Sequence, residues 1–419
     1  MAVTEDIRHW MSSNWRRISN DVVNMTILTG QRVVQRGAGL VSLYFVVRHL
    51  NPVELGYYQF TAVVLATLAF FALPGLDNAI MQSAARGSKN IYRPATIYSL
   101  NFSALGSLVL VIGAFAYRPY QPQAFAPLIV AAIFFTPYIA LAQWKSVLLG
   151  ESRFATLAKV ESITALVTHS GLIVATFCDV RSVWVFVLIY LLPTALVNIV
   201  VTMFGFHRLK NEAQNAQSDS LIRYGVQSSG PIMVTMVAEQ VERLILFLAI
   251  GPATLAIYLA ADRLSELVRS VFQDAAALLA PRFARSSTYT KRIERAVWVT
   301  TFLAGTAILI FALMLAPAVL LFIFGPGYAT SIPYAQALLC SVAIGNVGQF
   351  QFRFIRSQHD ASSFRNITLF TSGVRIASSF VLINILGVWG AVASLIVHRL
   401  VLSVLTSLAI RWRYRTAMA

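Results

Sequence analysis

Apolar residues run along this chain in blocks of about twenty to thirty, too long for strands and without the strict alternation of a half-buried sheet. A helix needs about 20 mostly apolar residues to cross the ~30 Å hydrocarbon layer. Windows of that length predict twelve spanning helices, over residues 22–47, 56–81, 95–117, 124–149, 158–178, 183–206, 222–250, 254–281, 294–324, 331–352, 366–386 and 388–410. The segments between them are short, so no soluble catalytic domain of any size is expected. Pro74-Gly75, Pro137, Pro193, Gly230-Pro231 and Pro317 interrupt the apolar runs. Each removes a backbone donor and crowds the preceding turn, so each predicts a kink.

Composition narrows the class. Hydrophobic residues make up 57% of the 419 and charged residues 12%, against about 25% charged in soluble domains. A soluble globule and a disordered chain are both excluded. Cys178 and Cys340 lie in different halves with no CxxC or Cys/His spacing, so no disulfide scaffold, zinc site or redox motif is expected. The 33 Lys and Arg against 17 Asp and Glu give a net charge of +16, which would suit nucleic acid, but their placement argues otherwise. Twenty-two of them fall in alternate loops and at the ends, only Arg48, Arg118 and Arg181 in the other loops, and eight inside the spans. Short loops rich in Lys and Arg stay in the cytoplasm. Both termini are therefore expected inside, the basic excess is a topology signal, and no nucleic-acid partner is expected. Residues 1–21 lack the apolar core of a signal peptide. Trp10 and Trp15 beside Arg8, Arg16 and Arg17 leave two readings for them, a surface-lying amphipathic segment or a plain polar terminus.

The chain also repeats itself. Leu50-Asn51-Pro52-Val53-Glu54-Leu55-Gly56-Tyr57-Tyr58 and Ile250-Gly251-Pro252-Ala253-Thr254-Leu255-Ala256-Ile257-Tyr258 align Pro, Leu and Tyr 200 residues apart, and Ala85-Arg86 and Ala284-Arg285 follow in order. Residues 207–220 are Asn/Gln/Ser-rich and read as a linker. The expected organisation is a cytoplasmic segment 1–21, a six-helix bundle 22–206, a cytoplasmic linker 207–220, a second six-helix bundle 221–411 and a cytoplasmic tail 412–419. The predicted fold is thus an all-α polytopic membrane protein, with about 12 transmembrane helices in two six-helix bundles around a central hydrated cavity.

Fifteen charged residues fall inside the spans: Arg32, Arg36, Lys145, Arg243, Arg263, Arg269, Arg375 and Arg399, with Asp77, Glu161, Glu239, Glu242, Asp262, Glu266 and Asp274. Each costs about 2.5–3.5 kcal/mol at the centre of a lipid-facing helix. Helical spacing gathers many of them into stripes: Thr29, Arg32, Arg36 and Gly39; Thr235, Glu239 and Glu242; Asp262, Glu266, Arg269 and Gln273; Asn346, Gln349, Arg353 and Arg356; Thr368, Thr371, Arg375 and Ser379. Such stripes face either a hydrated lumen or each other as structural ion pairs. Arg32, Arg36, Arg375 and Arg399 have no carboxylate in their own spans and are the better candidates for an anion, since a guanidinium binds phosphate oxygens bidentately. Arg263, Arg269, Gln349 and Arg353 complete the expected substrate-binding set. Glu239, Glu242, Asp262 and Glu266 are the ion-coupling candidates, and Gly230 with Pro231 is the candidate hinge. No P-loop, HExxH or GxSxG occurs. His169 and His398 read as hydrogen-bonded packing residues. The chain is expected to be no enzyme, with no metal and no cofactor.

Several motifs, in this order, resemble one family. They are the turn Arg48 to Tyr58; Leu76-Asp77-Asn78-Ala79-Ile80 followed by Arg86; Leu148-Leu149-Gly150-Glu151-Ser152-Arg153-Phe154; Ile250-Gly251-Pro252 through Tyr258 to Leu264, closing on Ala280-Pro281-Arg282-Phe283-Ala284-Arg285; and Phe324-Gly325-Pro326-Gly327-Tyr328. Together they are similar to the oligosaccharide-lipid flippases of the polysaccharide transport family, which share a superfamily with multidrug and toxin extrusion transporters and the lipid II flippase. Two positions depart from the family pattern, Glu242 before Arg243 and Ala256 before Tyr258. The resemblance implies translocation of a polyprenyl-diphosphate-linked sugar repeat across the bacterial inner membrane for exopolysaccharide or O-antigen-type synthesis. It implies that glycan-lipid, membrane lipids and a polymerase or export machinery as partners, and a monomeric protein. The alternative is a cation-coupled multidrug antiporter of the same superfamily. A membrane polymerase or ligase would carry a large outer loop, which this sequence does not have.

Overall fold

Long apolar segments can cross a bilayer only if their peptide groups are satisfied within the segment, and helices do this. A computed structural model describes the backbone of residues 2–88, 90–208, 216–284, 291–358 and 361–413, and the side chains from 26 onward except 207–219, 271–293, 296, 357 and 359–361 within that range. Its described residues hold helices and no strand. The chain begins with α1 (Ala2–His49), which carries the predicted first span, while the side chains of Trp10, Trp15 and the rest of 1–21 lie outside the described residues. So do the backbone of the expected linker over 209–215 and the tail over 414–419.

Eight segments are long and apolar enough to span: Pro52–Ala72, Tyr92–Tyr117, Pro122–Gly150, Phe154–Phe177, Val183–Phe206, Val297–Phe324, Ser362–Leu386 and Val388–Arg413, among the described residues. The expected count of twelve is therefore not reached by this measure. The other four predicted spans lie in α1 and in the helices Ala216–Ala249, Pro252–Ala284 and Ile332–Ser357. All four are long enough, and all four carry polar stripes.

Three predicted spans are not single helices. The span 56–81 divides into α2 (Pro52–Leu68), a 3-10 turn Ala69–Ala72 and α3 (Gly75–Ala85). Pro74 supplies no N–H, and Leu73 takes a left-handed φ of 55°. The Ser99 hydroxyl donates to the carbonyl of Ala72 at 2.8 Å, so the break is satisfied by α4 (Tyr92–Tyr117). The span 124–149 divides into α5 (Pro122–Ile139), a 3-10 turn Ala140–Gln143 and α6 (Trp144–Gly150). Two more helices, α7 (Phe154–Phe177) and α8 (Val183–Arg208), follow. The 3-10 turn interrupts the helical bonding of carbonyls at the end of α5, and α8 bonds them. Asn198 Nδ2 donates to the carbonyls of Pro137 and Tyr138 at 3.2 and 2.9 Å, and Thr202 donates to Leu141 at 3.1 Å. Asn198 Oδ1 accepts from Trp144 Nε1 at 2.9 Å. The span 294–324 becomes α11 (Lys291–Ile310), a π turn Phe311–Leu315 and α12 (Ala316–Phe324), with Pro317 opening α12. Between these lie α9 (Ala216–Ala249) and α10 (Pro252–Ala284); α13 (Ile332–Ser357), α14 (Ala361–Leu386) and α15 (Val388–Arg413) close the chain.

The chain divides into two compact units, residues 1–46 with 71–229 and residues 47–70 with 230–419. Within the first, α4 packs on α5, α5 on α8, α7 on α8, and α3 on α6. Within the second, α13 and α15 pack on each other, α15 on α14, α13 on α10 and α11, and α10 on α2. The grouping departs from contiguous halves 22–206 and 221–411 at residues 221–229 and, more widely, at residues 47–70. The cause lies in the repeat itself. The helices that begin at Pro52 and Pro252 meet at Gly56, where a Cβ would stand 2.1 Å from the carbonyl oxygen of Pro252. Leu55 and Leu255 are fully buried, and the Phe60 ring stacks on Phe247 at 3.6 Å. Asn51 and Glu54 close a capping box at the start of α2, satisfying otherwise orphaned N–H groups there.

Asn198→Leu is expected to destabilise the protein by about 1–3 kcal/mol, because it orphans the buried Trp144 N–H and two carbonyls. Thermal unfolding of the purified protein in detergent checks this, and an unchanged midpoint would contradict it.

Candidate functional site

The polar stripes of the second unit converge on two buried ion networks. In the first, α9 presents Arg243 to α10. Arg243 Nη2 donates to Asp262 Oδ2 at 2.7 Å and to Glu266 Oε1 at 2.5 Å, and its Nη1 donates to Gln240 at 3.0 Å. Ser265 donates to the other oxygen of Asp262 at 2.8 Å, and Arg263 donates to Glu266 at 3.1 Å. In the second, α14 presents Arg375 to α9. Arg375 Nε and Nη2 grip the two oxygens of Glu242 at 2.8 and 2.7 Å, a bidentate pair, and Nη2 also reaches the carbonyl of Glu239 at 3.4 Å. The Glu242 side chain is only 1% exposed. Water is displaced on both sides, so each charge depends on its partner.

These contacts correct part of the expected site. Arg375 has no carboxylate in its own helix, but α9 supplies one, so it is not open to an anion in this conformation. Glu242, Asp262 and Glu266 each already hold a guanidinium, and so differ from open cation ligands. Glu239 is exposed on α9. Arg399 is buried on α15 and donates to neutral acceptors, the carbonyl of Leu338 at 3.3 Å and the hydroxyl of Ser341. Arg269 is half-buried on α10. Gln349 and Arg353 are half-buried on α13. His398 Nδ1 donates to the carbonyl of Thr371 at 3.1 Å, a packing contact.

Arg32 and Arg36 lie in the first unit, one turn apart and both exposed on α1. The eight expected binding residues are thus divided between two units, two in the first and six in the second. Gly230 and Pro231 sit inside the continuous helix α9, and the division between units falls between Ser229 and Gly230. Gln273 and Asp274 have side chains outside the described residues.

Reading the spans one by one passes over a third network, in the first unit. Lys145 on α6 pairs with Glu161 on α7 at 2.5 Å, and Glu161 also accepts from Gln35 at 2.9 Å and Gln31 at 3.4 Å on α1. The spacing of Gln31 and Gln35, one helical turn apart, is the only local signal of it.

A model of the family described as polysaccharide biosynthesis protein matches residues 45–333. No curated protein sequence matches. Among solved structures, the chain is similar to an inward-facing multidrug resistance MATE family transporter of the MOP superfamily, at 15% identity and a TM-score of 0.74, covering 94% of this chain and 98% of that one. A MOP superfamily transporter from Pyrococcus furiosus, described as having a binding pocket of reversed polarity, matches at 15% identity and a TM-score of 0.63, covering 94% and 95%. The lipid II flippase MurJ in an inward closed conformation matches at 12% identity and a TM-score of 0.66, covering 90% and 87%. These likenesses establish the fold.

Replacing one partner of a buried pair strands the other. Glu242→Leu or Arg375→Leu alone is expected to cost about 3–5 kcal/mol, whereas the double replacement recovers most of that loss. Unfolding midpoints of the three variants decide it, and a double variant as unstable as the worse single would contradict the pairing.

Proposed function

Because the chain belongs to the family of polysaccharide biosynthesis proteins, we propose that it is a flippase for a polyprenyl-diphosphate-linked oligosaccharide repeat unit. It carries the unit from the cytoplasmic to the outer leaflet of the bacterial inner membrane by alternating access, and makes or breaks no covalent bond. Both termini are cytoplasmic. The glycan leaves toward a polysaccharide polymerase and export machinery, and the protein works as a monomer.

The observation that carries this reading is the pair Arg32 and Arg36, exposed on one face of α1, the helix that holds the expected first span. An exposed guanidinium does not face hydrocarbon, so that face of α1 borders water or anionic groups. Two arginines one turn apart offer planar forks to the oxygens of a diphosphate. In the second unit, Arg269 and Arg399 add positive charge where the neighbouring carboxylates already hold guanidinium groups. An anionic headgroup suits this balance better than a cationic drug does, because a cation would need a carboxylate released from its arginine first. If an ion is coupled, Glu239 is the exposed carboxylate on which it would act. Gly230 and Pro231, at the point where α9 passes from one unit to the other, are positioned to bend during the cycle.

Arg32→Ala/Arg36→Ala, placed in a strain lacking the native gene, is expected to lower polymer export at least about tenfold, an energy of about 1.4 kcal/mol or more in diphosphate binding. Lipid-linked repeat units should accumulate in the inner leaflet. Arg32→Lys/Arg36→Lys is expected to restore part of the export, since the charge remains and the fork is lost. Unchanged export from the alanine variant would contradict the assignment.

A further inference from the structure

The first unit holds an open-sided pocket of about 200 Å³ with both polar and apolar walls, lined by α1, α5, α6, α7 and α8. Its charges cancel. Lys145 and Glu161 meet in its wall at 2.5 Å, and Gln35 donates to Glu161 at 2.9 Å. An ionic occupant would have to pull that pair apart, while an uncharged one can bond to donors and acceptors already in place. Thr168 supplies the second observation. Its hydroxyl is buried in the cavity wall with no hydrogen-bond partner. A buried hydroxyl left unbonded is unfavourable, and rotation about its Cα–Cβ bond would turn it from this sealed position toward a polar occupant. Tyr138 and Tyr190 line the same space with ring centroids 6.2 Å apart and planes tilted by 41°. They give it aromatic faces suited to C–H groups as well as phenol oxygens. The volume corresponds to about six or seven waters at about 30 Å³ each, which is also about the size of one pyranose ring.

We propose that this pocket is a subsite for one uncharged, hydroxyl-rich sugar ring of the glycan headgroup, made by residues other than those that hold the diphosphate. The Thr168 hydroxyl and the Lys145–Glu161 pair bond its hydroxyls, and the Tyr138 ring packs on its C–H face. The inference rests on the flippase reading, and its test separates the two.

Two probes are needed: bare polyprenyl diphosphate, and the lipid-linked repeat unit extracted from a strain lacking the native gene. Binding of each to the full chain in nanodiscs is measured for the parent protein, Thr168→Val, Thr168→Ser and Tyr138→Leu. The expected result is that Thr168→Val and Tyr138→Leu bind the glycan-bearing lipid about tenfold more weakly, the scale of one or two lost contacts. Bare polyprenyl diphosphate should bind all four proteins within about twofold, and Thr168→Ser should keep the parent's affinity for both. Parent-like affinity of Thr168→Val and Tyr138→Leu for the glycan-bearing lipid would overturn the subsite, leaving a water-filled cavity. An equal loss for both probes would overturn its selectivity for sugar. If the parent protein binds neither lipid, the flippase reading fails first and the subsite with it.

Discussion

Charge has to be answered locally inside helices that cross a bilayer, and this requirement organises both units. In the second, α9, α10 and α14 are drawn together by guanidinium–carboxylate contacts between Arg243, Asp262 and Glu266 and between Arg375 and Glu242. In the first, α6, α7 and α1 meet at Glu161 through Lys145, Gln31 and Gln35. Lipid offers no aqueous screening, so removing any one partner leaves a charge that hydrocarbon cannot solvate. The same rule applied to the backbone explains the proline breaks. Where the 3-10 turn Ala140–Gln143 interrupts a helix, Asn198 and Thr202 of α8 bond the carbonyls around it. The helices thus yield at fixed places, where a neighbouring helix bonds backbone carbonyls.

Much of this architecture was legible in the sequence. Apolar windows overlapped all eight segments that are long and apolar enough to cross, among the described residues, because helix length in a bilayer is set by bilayer thickness. They could not separate a straight span from a broken one, as at Ala69–Leu73 or Ala140–Gln143, since apolar content is blind to where hydrogen bonds go. The polar stripes on α9, α10 and α14 were readable from helical periodicity. Their partners were not, because Glu242 and Arg375 lie 133 residues apart and periodicity carries no information between helices. Arg375 therefore looked open from within its own span. The repeat at Pro52 and Pro252 was visible as a motif, but the contact of Gly56 with Pro252 was not, and that contact groups residues 47–70 with the second unit.

Family membership and site chemistry support one account from separate directions. The family concerns polysaccharide biosynthesis, and the fold is shared with MATE family transporters and with the lipid II flippase MurJ. Fold alone does not choose between drug and glycolipid. The proposed choice of glycolipid rests on side chains: three of the four carboxylates considered for cation binding are engaged by arginine, and Arg32 and Arg36 are exposed on α1.

Transfer of the intact substrate between leaflets tests the account most directly. The purified protein would be reconstituted into liposomes with the lipid-linked repeat unit, and glycan reaching the outer face followed with an impermeant oxidant of sugar diols. The account predicts protein-dependent exposure well above that of protein-free vesicles, with no efflux of a cationic dye under an imposed ion gradient. Dye efflux without any movement of the glycan-lipid would contradict it.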